Sequence, residues 1–123
     1  MRTGLYIAVF RLARPRRIAV GRLGRFAFDA GIYLYVGSAQ RNLPARLARH
    51  ARSDKPLRWH LDYLGQYARM LGALLIPGGR QRECALAEQL AARYHRRPSQ
   101  FGSSDCRCGG HLFYATSLDE LAT

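Results

Sequence analysis

The fold is decided by residues 31–39, GIYLYVGSA, and by residues 42–50, NLPARLARH, which follow closely. In the first segment, aromatic and β-branched residues lead up to a glycine, which is typical of a strand. In the second, Pro44 stands just inside a run of Leu and Arg at helical spacing, which indicates the start of a helix. The predicted order is therefore strand, turn, helix.

This turn collects side chains that can carry chemistry. Because side chains alternate along a strand, Tyr33 and Tyr35 are predicted to share one face. On the helix, Arg46 lies about one turn from Arg49 and His50. Phenol, guanidinium and imidazole groups are therefore expected to converge on one place.

Length and composition predict one compact domain. The chain has 123 residues, of which 48% are hydrophobic, enough for one core and too few for two. It contains no run of about 18 apolar residues, and its first residues, MRTGLY, do not resemble a signal segment. We therefore expect a cytoplasmic, soluble protein. Three cysteines favour reduced thiols or metal ligands over a disulfide framework.

The charge favours a nucleic-acid partner. Twenty basic residues face eight acidic ones, for a formal net charge of +12, and such an excess attracts phosphate polyanions through counterion release. Lys55 is the one lysine, and a GC-rich coding bias would also produce many arginines. Part of the excess is therefore also compatible with an ordinary solvated surface.

The remaining pattern predicts an α+β fold of one domain, residues 1–123. Strands are predicted at residues 4–12, 18–20, 24–28 and 31–39, joined by short loops as an antiparallel meander. Helices are predicted at residues 43–52, 58–68 and 81–93, and further strands at residues 70–76 and 111–115. The C-terminus is expected to be frayed.

Several short motifs occur in a fixed order. They are Gly4-Leu5-Tyr6, Tyr35-Val36-Gly37, Asn42-Leu43-x-x-Arg46-Leu47-x-x-His50 and an acidic helix near residue 83. This set resembles the core of the GIY-YIG nucleases. The segments GSA (37–39), WHLDYL (59–64), ECALA (83–87) and FGSSDCRCGGHLFY (101–114) resemble more closely the GIY-YIG-like branch called domain of unknown function 123, over nearly the whole chain.

The letters Gly31-Ile32-Tyr33 spell the first motif of the GIY-YIG family, but they lie on the same strand as Tyr35. In the family the two motifs occupy separate, paired strands, so Gly4-Leu5-Tyr6 is the better match. The resemblance then implies a mixed or antiparallel sheet flanked by helices, with an extra pair of strands inserted between the two motif strands.

The resemblance implies metal-dependent hydrolysis of phosphodiester bonds by in-line attack of water. Such chemistry needs a group that acts on the water, a divalent cation, and a positively charged side chain that stabilises the extra negative charge of the transition state. Tyr6 and Tyr35 match the phenols that would orient or deprotonate water, Arg46 matches the phosphate clamp, and His50 takes a second polar position. A phenol with a pKa near 10 is a poor base at neutral pH, so neighbouring arginines are expected to lower it. The alternatives are ordinary strand tyrosines and, for Arg46, a solvated helix face.

Glu83 is the expected ligand of Mg²⁺ or Mn²⁺, since ECALA fits the family's Glu-x-x-Leu-Ile segment and one carboxylate with waters and phosphate can hold such a cation. Glu88 is the competing assignment. It lies about 140° further round the helix, after five steps of about 100°, so only one of the two can face Arg46. Ser38 departs from the basic residue that repair-type members often have after the second motif's glycine.

Cys84, Cys106, Cys108 and His111 offer the donors for a structural Zn²⁺. Cys106-x-Cys108 is tighter than the usual zinc spacing, and the alternative is buried free thiols with His111 hydrogen-bonded near a strand start.

The segment WHLDYL holds three further predictions. Trp59 and Tyr63 are expected in the core, and Asp62 is expected to cap or pair. His60 stays open between the core and the site.

The expected function is a DNA-directed endonuclease related to repair or to branched structures. The alternative is a catalytically silent nucleic-acid-binding module of the same fold. The two differ in whether Glu83, Arg46 and Tyr35 share one cleft.

Overall fold

The computed structural model describes residues 2–96, 101 and 110–121. In this part of the chain the strands are β1 (Gly4–Leu12), β2 (Arg16–Val20), β3 (Gly24–Phe28), β4 (Gly31–Ala39), β5 (Arg69–Ile76), β6 (His95–Arg96) and β7 (Leu112–Ala115). The helices there are α1 (Leu43–Ala51), α2 (His60–Leu64), α3 (Glu83–Ala91) and α4 (Leu118–Leu121), and a 3₁₀ turn spans Arg80–Arg82. The predicted α+β class is confirmed.

Five strands form one sheet in the order β5-β1-β4-β7-β6. β1 and β4 pair along their whole length, from Gly4 opposite Ala39 to Leu12 opposite Gly31. The prediction that these two strands are adjacent and antiparallel is confirmed. Of the two sheet types expected, the described strands form the antiparallel one.

The inserted strands β2 and β3 form a separate two-stranded sheet. The predicted meander, in which each strand would pair with the next, is therefore wrong. β1 lies between β5 and β4, so both of its edges are already hydrogen-bonded and β2 cannot pair with it. The extra strand pair between the two motif strands is confirmed.

The two faces of the sheet carry different apolar clusters, because side chains alternate along each strand. One cluster contains Tyr6 and Phe10 and is covered by α1, α2 and the β2–β3 hairpin. The other contains Ile7 and Val36 and is covered by α3. Helices α1 and α3 therefore lie on opposite faces of the sheet.

Helix α2 is much shorter than the predicted 58–68. The Asp62 carboxylate accepts hydrogen bonds from the backbone N–H groups of Arg58 and Trp59, so these residues precede the helix instead of belonging to it. Gly65 directly follows the last helical residue.

The predicted helix 81–93 is divided into the 3₁₀ turn and α3. β6 and α4 were not predicted, and α4 lies where a frayed C-terminus was expected. Across residues 2–96, 101 and 110–121, the helices all fall short of the length and apolar character that crossing a membrane requires.

Candidate active-site cleft

A cleft of about 1210 Å³ lies at the end of the sheet where β4 leads into α1 and where α3 begins on the opposite face. It is lined by all five residues predicted for the site, Tyr6, Tyr35, Arg46, His50 and Glu83. The first four come from β1, β4 and α1, whereas Glu83 is the first residue of α3. Elements from both faces of the sheet therefore meet here.

Gly37 makes room for Tyr6. The two residues are directly opposite each other in the β1–β4 ladder, and a Cβ on residue 37 would overlap the Tyr6 ring. Opposed residues and residues two apart on a strand share a face, so Tyr6, Gly37 and Tyr35 share one. The phenols of Tyr6 and Tyr35 therefore lie on the same side of the sheet.

Tyr6 and His50 form a buried pair. The Tyr6 hydroxyl lies 2.8 Å from His50 Nε2, and the two residues are 1% and 2% exposed. Burial, and then the charge of Lys55, lower the pKa of His50 to about 3, so the imidazole is neutral at pH 7. A neutral imidazole nitrogen can accept the phenol's hydrogen.

Burial also raises the pKa of Tyr6 to about 12, and Arg46 offsets only part of that rise. Burial likewise raises the pKa of Tyr35 above its ordinary range. Arg46 lowers the pKa of both phenols, as expected, but burial outweighs it, so neither phenol becomes a better base than a free tyrosine. Transferring the phenolate from water into the protein interior costs more free energy than its interaction with one guanidinium recovers.

The two strand tyrosines have different roles in the packing. The Tyr35 ring meets His50 and Phe101 edge-on, at centroid distances of 6.0 and 6.2 Å. Tyr33 is fully buried, and its hydroxyl donates to the Asp29 carbonyl at 2.7 Å. Tyr33 is thus an ordinary strand aromatic, while Tyr35 lines the cleft.

Arg46 contacts Ser38 and Trp59 as well as Tyr6. Its guanidinium donates to the Ser38 carbonyl at 3.0 Å and lies 4.8 Å from the centre of the Trp59 ring. Arg49 lies over the same ring at 4.3 Å. Trp59 is 37% exposed, so its predicted place in the core is wrong. The reason is local: Trp59 has extended backbone before α2, so helical spacing to Tyr63 does not apply.

Asp62 secures this arrangement. It is completely buried, and Arg49 donates to both of its oxygens, at 2.8 and 3.0 Å. Burial alone would raise the pKa of Asp62, but the hydrogen bonds from Arg49 and from the Trp59 and Arg58 amides outweigh it, and the pKa is lowered. The predicted capping or pairing role is confirmed, and it joins α1 to the segment that carries Trp59.

Each oxygen of the Glu83 carboxylate lies against one polar side chain. Ser38 Oγ donates to Oε1 at 2.6 Å, and His111 Nδ1 lies 2.9 Å from Oε2. Burial would raise the pKa of Glu83, but the interactions with His111 and Ser38 outweigh it, so the pKa is lowered. Glu88 does not line the cleft and instead pairs with Arg96 at 3.0 Å.

Two members of the predicted zinc set, Cys106 and Cys108, lie outside the described residues. Of the other two, Cys84 Sγ is 3.9 Å from His111 Nε2. Among residues 2–96, 101 and 110–121, no three His, Cys, Asp or Glu side chains are grouped as a metal site would need. Zinc binding stays a prediction.

Sequence reasoning missed two features of the cleft. The role of Ser38 as a donor to Glu83 was not foreseen, although its place after Gly37 at the end of β4 points it toward the α3 face. Trp59 was assigned to the core. His60, left open, lines the cleft with its ring 5.5 Å from that of Phe101.

A family model described as Domain of unknown function DUF123 matches residues 5–123. The chain belongs to this family. No curated protein and no solved structure matches the chain. The DUF123 match includes every residue that the cleft takes from β1, β4, α1 and α3, and the family's description states no activity. The chemistry of this DUF123 domain therefore has to follow from the residues of the cleft.

Proposed function

We propose that this DUF123 domain is a metal-dependent endonuclease of the GIY-YIG type, which hydrolyses phosphodiester bonds in nucleic acid, DNA rather than RNA. Its substrates are damaged or branched structures, and it acts in the cytoplasm. One observation carries the proposal: the Glu83 carboxylate, the Arg46 guanidinium and the Tyr6 and Tyr35 phenols line a single cleft.

The charge of the cleft suits a phosphate backbone. Arg41, Arg46, Arg58 and Arg80 line it, and Glu83 is the one acidic residue in its described lining. Phosphates are attracted by such a basic surface, and a guanidinium can donate two hydrogen bonds to one phosphate. The net charge around the cleft therefore favours an anionic polymer over a neutral substrate.

Glu83 fits a hard divalent cation. Its lowered pKa keeps the carboxylate ionised at neutral pH, and each oxygen that accepts one hydrogen bond retains a second lone pair. One carboxylate together with waters and substrate phosphate is an ordinary way to hold Mg²⁺ or Mn²⁺. A bound cation would supply Lewis-acid stabilisation of the charge on the phosphate.

The tyrosines orient water in this proposal and do not deprotonate it. In this proposal the Tyr6 hydroxyl donates to the neutral His50 Nε2, and the second lone pair of the phenol oxygen, beside Arg46, accepts a hydrogen bond from water. Transfer of the phenol proton from Tyr6 to His50 would create an imidazolium beside Lys55, Arg46 and Arg49. These three groups lower the pKa of His50 and oppose that transfer. Arg46, held by Ser38 and Trp59, donates to the phosphate oxygens.

The test is a cleavage assay on branched, nicked and single-stranded DNA, with Mg²⁺ or Mn²⁺, using the parent protein and Arg46→Ala. Cleavage should fall by about 100-fold or more in the variant, because a preorganised donor to the transition state contributes several kcal/mol. Binding should change little, since Arg46 is one of many cations. The matched control is Arg93→Ala, outside the cleft. Equal losses of binding and cleavage would count against a catalytic role for Arg46.

A specific observation favours a second candidate, a catalytically silent nucleic-acid-binding module. Both phenols have raised pKa values, and both Glu83 oxygens already contact a polar side chain of the protein. If the parent protein binds every DNA in the panel and cleaves none with either metal, this candidate replaces the first.

A further inference from the structure

The inserted β2–β3 hairpin is a basic ribbon that the cleft does not use. Residues 13–28 contain no acidic residue. Their five arginines are all exposed: Arg14, Arg16, Arg17, Arg22 and Arg25. These arginines do not stabilise the fold, because like charges on one short hairpin repel one another.

The two faces of the ribbon differ sharply. Ile18, Val20 and Phe28 are buried against the sheet. The opposite face is built from Arg17 opposite Ala27 and from Ala19 opposite Arg25. Two guanidinium groups thus stand diagonally on a surface that is otherwise formed by alanine methyl groups.

These charges are not neutralised within the described part of the chain. Arg16 has a partner within the protein, because its guanidinium lies 3.9 Å from the centre of the Tyr67 ring. No ion pair joins Arg17, Arg22 or Arg25 to a carboxylate among residues 2–96, 101 and 110–121. The outer face of the ribbon is therefore a concentrated positive field.

The ribbon adjoins the cleft through helix α2. His60, the first residue of α2, lines the cleft. Tyr63, three residues later, lies beneath the hairpin turn, where a Cβ on Gly21 would be 3.4 Å from its hydroxyl. Three residues of helix span about 4.5 Å. A bound nucleic acid that extends past the cleft by a few nucleotides would therefore reach the ribbon.

We infer that the outer face of the β2–β3 hairpin binds the phosphate backbone of duplex DNA that flanks the cleft. A two-stranded ribbon fits the major groove of B-DNA, which is about 12 Å wide, whereas the deep, narrow major groove of an RNA helix excludes it. Single strands are bound by stacking bases on aromatic rings, and the aromatic residues of this hairpin, Phe26 and Phe28, belong to its inner face. The inference rests on the nucleic-acid substrate of the proposed function but not on cleavage.

The experiment compares two double variants that remove the same charge. Arg17→Gln with Arg25→Gln changes the ribbon, and Arg69→Gln with Arg93→Gln changes exposed arginines on β5 and after α3. Binding to a fluorescent DNA duplex of about 20 base pairs is measured by anisotropy, without divalent metal, from about 50 to about 200 mM salt. Circular dichroism checks that each variant is folded.

Each lost phosphate contact removes about 0.9 from the slope of log K against log salt. The ribbon variant should therefore lose a slope of nearly 2 and bind up to about 60-fold more weakly at about 0.1 M salt. The control should remain within about threefold of the parent protein. Affinity for an RNA duplex and for a single strand should change less than affinity for the DNA duplex.

Equal weakening by both variants would assign the effect to net charge and overturn the inference. An unchanged ribbon variant would overturn it as well, as would a larger loss for the single strand or the RNA duplex. Failure of the proposed function has a different signature: the parent protein would cleave no substrate, while this metal-free binding comparison would still give its own result.

Discussion

Replacing Asp62 by asparagine should destabilise the fold by about 3 kcal/mol. In the parent protein Asp62 Oδ2 accepts hydrogen bonds from Arg49 and from the Arg58 and Trp59 amides, and Oδ1 accepts from Arg49 at 2.8 Å. An asparagine that keeps its oxygen at the Oδ2 position must turn its NH₂ group toward the Arg49 guanidinium. Two donors then face each other in a completely buried site.

The magnitude follows from the burial of the partners. Removing one member of a buried ion pair costs about 3–5 kcal/mol. The Arg49 side chain is 22% exposed and can recover part of its hydration, which places the cost at the lower end of that range. Lys55, whose side chain is only 1% exposed, adds to the cost because it also loses its acidic neighbour at 4.0 Å. For a chain of this length the melting temperature should fall by roughly 10 °C.

Denaturant unfolding of the parent protein, Asp62→Asn and Asp54→Asn measures the loss in the free energy of unfolding. Asp54 pairs with Arg52 at 3.6 Å with its side chain 90% exposed, so its variant should change stability by less than about 0.5 kcal/mol. The pKa of Asp62 is lowered in the fold, so its stabilisation is complete above the ordinary pKa of about 3.9 and is lost as pH falls through the lower folded value. The difference between parent and variant should therefore narrow below about pH 4. A loss under about 1 kcal/mol at pH 7, or one equal to that of Asp54→Asn, would refute the reasoning.

Three further experiments test the metal ligand, the packing of Tyr6 and the zinc site. Glu83→Gln should abolish metal-dependent cleavage in a folded protein while Glu88→Gln stays near parental activity, and reversed behaviour in the same assay would show that Glu88 is the ligand. Gly37→Ala should displace the Tyr6 ring, cost about 1–3 kcal/mol in denaturant unfolding and lower cleavage; unchanged stability would mean that the ring moves without strain. If the predicted zinc site exists, purified protein should carry about one equivalent by metal analysis, and a chelator should lower its melting temperature; metal-free protein of equal stability leaves the thiols free.

The elements whose pattern is local could be predicted from the sequence. The bounds of β1, β3 and β4 agree with the prediction, because alternating side chains between glycines leave little freedom for another structure. The start of α1 was also predicted from Pro44, a local signal that needs no distant partner, and the structure adds Asn42 as its N-cap. The common face of Tyr6 and Tyr35 required one further step, the antiparallel pairing of β1 with β4.

The pairing of the strands and the contacts of each side chain in the cleft depend on the assembled fold. Tyr6 meets His50 from 44 residues away and Ser38 meets Glu83 from 45 residues away, and no local pattern specifies such partners. The pKa values depend on burial, which exists only once the sheet, α1 and α3 are assembled: Tyr6 is harder to ionise than a free tyrosine although Arg46 is beside it. The position of Trp59 was decided in the same way, because the buried Asp62 carboxylate binds the backbone ahead of α2 and holds the indole against the arginines of α1.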